Sequence, residues 1–489
     1  MCGLKEEDCH MHDMILILNY SDEFSIEIAR RLRTEQVYAR IVPGDISADE
    51  IAVIAPRGVI LSGEASGKNA DFDAKIAKLG IPVLAMGHAS HMLLAAMGGA
   101  CASAVITAKK AMIEYGESAL FAGIDSGERY IEQALTLMLP PNVRETAGAG
   151  GCTIAFEDEE KLRFGIQFEL ERNDPDGSAI LMNFVRDVCG STPWWSEERA
   201  LEHACDVLGQ AARNTSYALC AVSGGVDSTV AAILTHRAFG GRMKAVFVET
   251  GLLREGEADE VRALFESIGV PFECVDRSAD ILSALRGCYD RSAKREIVTG
   301  IMHDEMVARG QAMEGIVTMV LGTNYSDFLH SGSSKRKWID SGMHIAEPLL
   351  EMFKEEVRGI ALRVGLDERA ASRKPFPALG LGARILGEVT AERAAALRTA
   401  EAIFREEIRE AGLERKLYKY FPVLAGSEAA GSEMMILRAV TLSGSMLTPA
   451  RLPYDLVERT VERIQAQFPG ITRIFYDQTP TQVGKESFS

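Results

Sequence analysis

Positive charge is what this sequence is short of. Lys and Arg total 53 against 70 Asp and Glu in 489 residues, a formal charge of −17. The overall field therefore repels nucleic acid and anionic membrane surfaces, and any polyanionic ligand has to be met by a local site. Cysteine is sparse and unpatterned: nine residues, an odd number, at irregular spacing. That excludes a disulfide framework and fits a reducing, cytoplasmic setting. A bilayer-spanning apolar run is missing as well. The longest weakly polar stretch, 92–108, is interrupted by Gly98, Gly99 and Ser103 and reads as a helix end, a turn and a strand. The opening residues MCGLKEEDCHMHD contain no apolar h-region, so no secretory signal is expected, and Cys2, Cys9, His10 and His12 read as a solvated tail rather than a metal site. Low-complexity sequence and fixed-period repeats are lacking too.

What is present is ample core: 47% of residues are hydrophobic, and the length suits about three domains. From residue 14 to about 190, apolar strands (MILILNY, YARIVP, GVILSG, IPVLAMG) alternate with helical patterns such as SDEFSIEIARRLRTE. This order predicts an α/β domain with a largely parallel sheet and sites at the carboxyl ends of its strands. At one such end, IPVLAMGHASHMLLAAMGG (81–99) turns sharply from strand to helix through Gly87, His88, Ala89 and Ser90. The pattern is that of a nucleophile elbow, but the apex residue, Gly87, has no side chain. A polar joint, CGSTPWWSEE, precedes a helical pattern over 199–214, and Trp194 and Trp195 are read as packing anchors there.

The strongest local signal is SYALCAVSGGVDSTVAAILTHRAFG. A strand over 217–222 runs into Ser223, Gly224, Gly225, Val226, Asp227 and Ser228, and then into an apolar helix. Two glycines permit positive φ and close backbone approach, the helix start offers N–H groups, and two serines add hydroxyls, which together suit phosphate oxygens. Asp227 would repel phosphate unless Mg²⁺ lay between them, so it is the expected metal ligand. No Lys follows the second glycine, which excludes a Walker A loop.

SGGVDS resembles the PP-loop of ATP pyrophosphatases, and the surrounding chain is similar to the GMP synthase family over nearly its whole length. The similarity is carried by RRLRTEQVYARIVPGDISADEI, GVILSG, KAVFVETGLLREGEADEV, AKREIV, EPLLEMFKEEVR, LGARILGEVT, ILRAVT and RLPYDL. It implies a flavodoxin-like class I glutamine amidotransferase-like domain over 1–192, a doubly wound parallel-sheet ATP pyrophosphatase domain over 193–372, and a small α+β dimerisation domain over 373–489. The implied ligands are ATP and Mg²⁺, a purine nucleotide and ammonia, in a homodimer. By the same resemblance, Lys354 gives a cation to the ATP phosphates and acts in catalysis with Asp227. Val248 and Gly322 lie near the adenine, and Arg295, Arg384 and Lys485 face the acceptor substrate.

Three departures from the family pattern bear on function. Gly87 stands where the family's catalytic Cys belongs, Glu169 replaces its His in Gly165–Glu171, and only Glu171 retains its position; SGEAS at 62–66 replaces the oxyanion turn. Neither Gly nor Glu supplies a thiolate or a paired imidazole, so the glutaminase is expected to be silent. The PFPGPGLG turn has become PFPALGLG, and the loop before the EPL segment is shortened and includes Lys335, Arg336 and Lys337. At the C-terminus, Thr481 and Ser487 take the places of a Lys and a Glu that hold the nucleotide. Three readings follow: a GMP synthase-like ligase using free ammonia or ammonia from a separate glutaminase; a PP-loop enzyme with a changed acceptor or a sulfur nucleophile, for which Cys288 is a candidate; or a non-catalytic nucleotide-binding dimer.

Overall fold

The computed structural model describes residues 13–20, 22–63, 72–168, 170, 175–331, 338, 340–373, 379–426, 432–443 and 446–482. The chain divides into two compact units, Met1–Ala200 and Leu201–Ser489.

In the first unit, β1 (Met14–Asn19), β2 (Tyr38–Pro43), β3 (Gly58–Gly63) and β4 (Val83–Gly87) are parallel in the order β2-β1-β3-β4. The middle three are buried on both faces, which is why they read as continuous apolar runs: Ile15 to Leu18, Val59 to Leu61 and Val83 to Met86 are all inaccessible to solvent. Beyond them the expected strand and helix alternation stops. β5 (Ala100–Tyr115), β6 (Gly127–Met138), β7 (Arg144–Ala149), β8 (Cys152–Asp158) and β9 (Arg163–Ile166) extend the sheet to nine strands. β9 is parallel to β4, while β8, β7, β5 and β6 follow as antiparallel neighbours. The connections are too short for crossover helices; β7 and β8 are joined through Gly150 and Gly151, with φ of +58° and +80°, as a two-residue hairpin requires. Trp195 is buried, with its ring 4.6 Å from Tyr38 and the Arg33 guanidinium 4.5 Å from its centroid, while Trp194 Nε1 donates to the Asp13 carbonyl at 2.7 Å. Both tryptophans are packing anchors.

The second unit contains two sheets. β10 (Tyr217–Ala221), β11 (Met243–Glu249), β12 (Phe272–Asp276), β13 (Val317–Val320) and β14 (His344–Ala346) are all parallel in the order β12-β11-β10-β13-β14. The order reverses beside β10, so the segment leaving β10 enters the switch-point crevice where α/β sheets bind ligands. The other sheet holds β15 (Lys419–Gly426), β16 (Glu433–Ser443), β17 (Met446–Pro449), β18 (Ile471–Tyr476) and β19 (Thr481–Gln482); it is antiparallel except for the β16–β18 pair. Helices Ala391–Glu410 and Tyr454–Gln467 accompany it and are tied together where Arg459 and Arg463 donate to Glu407 at 3.0 and 2.8 Å.

Candidate active site

At the end of β10 the chain makes the SGGVDS turn and enters the helix Val226–Phe239, whose first ten residues are all buried. Gly224 has φ +75°, and a Cβ there would sit 2.4 Å from Val261 Cγ2. Both the backbone conformation and the packing therefore require glycine. The loop is held by its own hydroxyls. The Ser223 N–H donates to Ser228 Oγ at 3.1 Å, the Ser228 hydroxyl donates to the Gly225 carbonyl at 3.1 Å, and the Thr229 hydroxyl donates to the same carbonyl at 2.9 Å. The amides at the helix start point along the axis with no intrahelical acceptor, which makes an anion cradle.

Asp227 and Lys354 meet at this cradle. Lys354 begins the helix Lys354–Arg363, whose entry is fixed by the Phe353 N–H donating to Glu356 at 2.7 Å, and its Nζ lies 3.4 Å from Asp227 Oδ2. Asp227 is 7% exposed, and its other carboxylate oxygen, Oδ1, is buried with no hydrogen-bond partner among the described residues. A buried carboxylate oxygen left without a donor is costly unless something binds it. A hard divalent cation fits that position, since Mg²⁺ is commonly held by one or two carboxylates with phosphate oxygens and water completing its shell. Across the crevice, a Cβ on Gly322 would lie 2.8 Å from Ser228 Cα and 2.9 Å from Ser228 N, so glycine is needed for β13's exit to approach the loop. Val248 is buried near the end of β11, two residues beyond Val246, whose carbonyl accepts from the Val222 N–H at 3.0 Å. The structure thus gathers 223–228, Val248, Gly322 and Lys354 around the carboxyl ends of β10, β11 and β13.

The residues expected to face the acceptor are more dispersed. Arg295 is exposed on the helix Arg291–Gln311. Its neighbour Lys294 is the buried one, donating to the Ile385 and Gly387 carbonyls at 3.0 and 2.5 Å, with burial pulling its pKa down. Arg384 donates to Glu401 at 3.3 Å and lies 4.5 Å over the Phe421 ring, and burial depresses its pKa too. It lines a cavity of about 960 Å³ to which neither the 223–228 loop nor Lys354 contributes. Lys485 lies outside the described residues, as do Ser487 and Lys335 to Lys337. Thr481 is inside them, and its hydroxyl accepts from Arg438, which also binds Asp477 and donates to the Thr479 carbonyl at 3.1 Å. Nothing in the sequence pattern singled out Lys294 or Arg438; a basic residue inside an apolar stretch (AKREIV, ILRAVT) was the available signal.

In the first unit the elbow keeps its shape. Gly87 has φ +59° and ψ −132° at the start of the helix His88–Ala96. A Cβ there would lie 2.2 Å from the Gly63 carbonyl oxygen, because β3 and β4 pair Gly63 with Gly87. Where a nucleophile would stand, the neighbouring strand's backbone stands instead. His91 is buried, and its Nε2 lies 2.6 Å from Gln167 Oε1. Gln167 Nε2 donates to the Leu135 and Thr153 carbonyls, so Oε1 is the acceptor and His91 Nε2 the donor. Burial lowers the His91 pKa and keeps the ring neutral. Glu169 and Glu171 lie outside the described residues.

Residues 201–384 match the family model described as NAD synthase. The chain is 33% identical over 504 residues to the glutamine-hydrolyzing GMP synthase of Geobacillus kaustophilus (strain HTA426), covering 96% of this chain and 98% of that protein. The enzymes of the same name from Bacillus cytotoxicus and Clostridium botulinum (strain Eklund 17B / Type B) are also 33% identical, with 96% of this chain covered and 97% and 98% of theirs. The chain belongs to the GMP synthase family. GMP synthases are ATP-dependent carbon–nitrogen ligases that form AMP and diphosphate, and the PP-loop crevice described above is the ATP-binding part of that design. Among the described residues no helix is long and apolar enough to cross a membrane.

Proposed function

We propose that this chain adenylates an oxo group of a purine nucleotide, XMP or a relative, and lets ammonia displace AMP, without a working glutaminase of its own. The buried, partnerless Asp227 Oδ1 beside Lys354 at a phosphate-shaped helix start supports this most directly. In the first step the acceptor oxygen bonds to the α-phosphorus of ATP as the α–β bridging bond breaks, and pyrophosphate leaves with the bonding electron pair. In the second, ammonia adds to the activated carbon, loses a proton, and the carbon–oxygen bond to AMP breaks. The 223–228 amides and hydroxyls hold the departing pyrophosphate, Lys354 offsets its charge, and Asp227 would hold Mg²⁺. When bound, that ion supplies Lewis-acid stabilisation of the same leaving group. Pyrophosphate release with ATP, Mg²⁺, ammonium and a panel of purine nucleotides tests the reading; no release with any acceptor would leave the non-catalytic dimer. Thr481 is engaged by Arg438 and is too short to replace a Lys, which favours a changed acceptor as the second reading.

The reading includes the boundaries 192/193 and 372/373, a cytoplasmic setting, and acceptor contacts from Arg295, Arg384 and Lys485. Ammonia arrives free or from a separate glutaminase. Purified protein given glutamine should form no glutamate, and Gly87→Cys alone should not restore activity, because the new Cβ meets the Gly63 carbonyl and no paired imidazole is supplied. Glutamate formation by the unaltered chain would overturn this.

The C-terminal sheet supports a homodimer. Leu442, Tyr454 and Phe475 leave large apolar side chains 48%, 80% and 51% exposed on or beside it, more than a small monomeric sheet normally shows together. Sedimentation velocity at micromolar concentration should show a dimer; a monomer there would remove the support for this contact.

A further inference from the structure

The cavity of about 960 Å³ in the second unit is bounded by the helix Glu257–Ser267, by 367–373, by the turn carrying Arg384 and by β15. Its lining charges fall into two groups. Arg254 and Arg384 both pair with the single carboxylate of Glu401, at 3.0 and 3.3 Å. Arg405, one turn further along the same helix, and Lys419 on β15 line the same side, where the remaining carboxylate is Glu414. Four cations thus face two carboxylates. The second group is the reverse: Glu257, Glu260 and Asp367 against Arg369 and Arg373, with Arg373 bound to Glu257 at 2.9 Å and to Glu260 at 3.4 Å.

Such a cavity suits a ligand with an anionic end and a donor-rich body. Two guanidinia sharing one carboxylate in a partly buried place leave a local positive excess that a dianion neutralises, and guanidinium forks match phosphate geometry. Carboxylates on the other side accept from hydroxyls. The volume lies within the range of small-molecule sites. The walls also reach the PP-loop, since Val261 of the helix Glu257–Ser267 packs against Gly224, and the Arg373 carbonyl accepts from the Val226 N–H at 3.4 Å.

We propose that this cavity binds a phosphate monoester with a hydroxylated body of sugar or nucleoside size, its phosphate against Arg254, Arg405 and Lys419 and its hydroxyls against Glu257, Glu260 and Asp367. The ligand is either the acceptor nucleotide, whose phosphate contacts these residues would supply in place of the altered tail, or a separate effector pressing on the PP-loop's packing partners. The binding inference stands on the cavity alone; only the first source rests on the adenylation reading.

Calorimetric titration of the full chain with ribose 5-phosphate and with XMP, and with ribose as the phosphate-free control, tests it. At least one monoester should bind and ribose should not. The double variant Arg405→Ala/Lys419→Ala should weaken the monoester by roughly a hundredfold, two charged contacts being lost. Mg-ATP affinity, measured on the same sample, should stay at the unaltered value and show that the variant is folded. Glu260→Gln should weaken ribose 5-phosphate without changing affinity for Mg-ATP. Weakened XMP binding assigns the acceptor, whereas weakened ribose 5-phosphate with unchanged XMP assigns an effector. The inference is overturned if neither monoester binds, or if the double variant binds them as the unaltered chain does while still binding Mg-ATP.

Discussion

Asp227→Ala is expected to lower AMP and pyrophosphate formation by on the order of 10²-fold or more while leaving the fold intact. The carboxylate is the only acidic group in the SGGVDS turn, and its Oδ1 is buried with no donor among the described residues. Removing it costs the folded chain little and lifts the cost of an unmet buried acceptor. Catalysis loses the anchor for the cation that offsets charge on the departing pyrophosphate, and loss of one such stabilising group is typically worth about 3 to 4 kcal/mol of barrier. Asp227→Asn separates charge from shape: the amide keeps the volume but is a far weaker cation ligand, so it should fall with alanine rather than with the unaltered chain. Lys354→Ala should follow in the same direction, since its Nζ lies 3.4 Å from Asp227 Oδ2 and serves the same phosphates. Single-turnover measurement of AMP at saturating ATP reads the chemical step directly. An Asp227→Ala enzyme as fast as the unaltered one would show that the turn is not the phosphate site.

The PP-loop was legible in sequence because its determinants are local. Gly224, the serines and Asp227 act within six residues of one another, and the strand before and helix after are set by apolar runs buried on all sides. β1, β3 and β4 were legible for the same reason. The antiparallel half of the first sheet was not: strands facing solvent on one side have weaker patterns, and β5 begins within the weakly polar stretch that starts as a helix. The elbow shows the limit clearly. That Gly87 lacks a nucleophile is plain from its letter, yet the Gly63 carbonyl that closes the space comes from another strand, through a register the letters do not state. Likewise Arg384 is marked by its motif, but its engagement with Glu401 and Phe421, and the cavity around it, depend on residues 17 and 37 positions away brought together by the C-terminal sheet.

XMP is expected to bind this chain weakly, if it is used, with a related oxo-purine or other heterocyclic acceptor preferred. Thr481 and Ser487 stand where the family holds the nucleotide with a Lys and a Glu, and charged hydrogen bonds of that kind are typically worth about 1.5 to 3 kcal/mol each. Two such losses correspond to roughly a hundredfold or more in affinity. The structure adds a reason why the tail does not recover the contact by moving: Thr481 accepts from Arg438, and Arg438 is fixed on the other side by Asp477 and the Thr479 carbonyl. Thr481→Lys by itself should restore little, because it places a second cation beside Arg438 and leaves position 487 neutral. The adenylation step should survive these changes, since the 223–228 turn and Lys354 contact the ATP and not the acceptor. AMP and pyrophosphate formation measured side by side with XMP and with alternative acceptors, at saturating ammonium, discriminates the cases. A low KM and efficient turnover with XMP would show that the phosphate is held elsewhere in the second unit, and Arg405→Ala/Lys419→Ala would then raise that KM if the Arg384 cavity is the place.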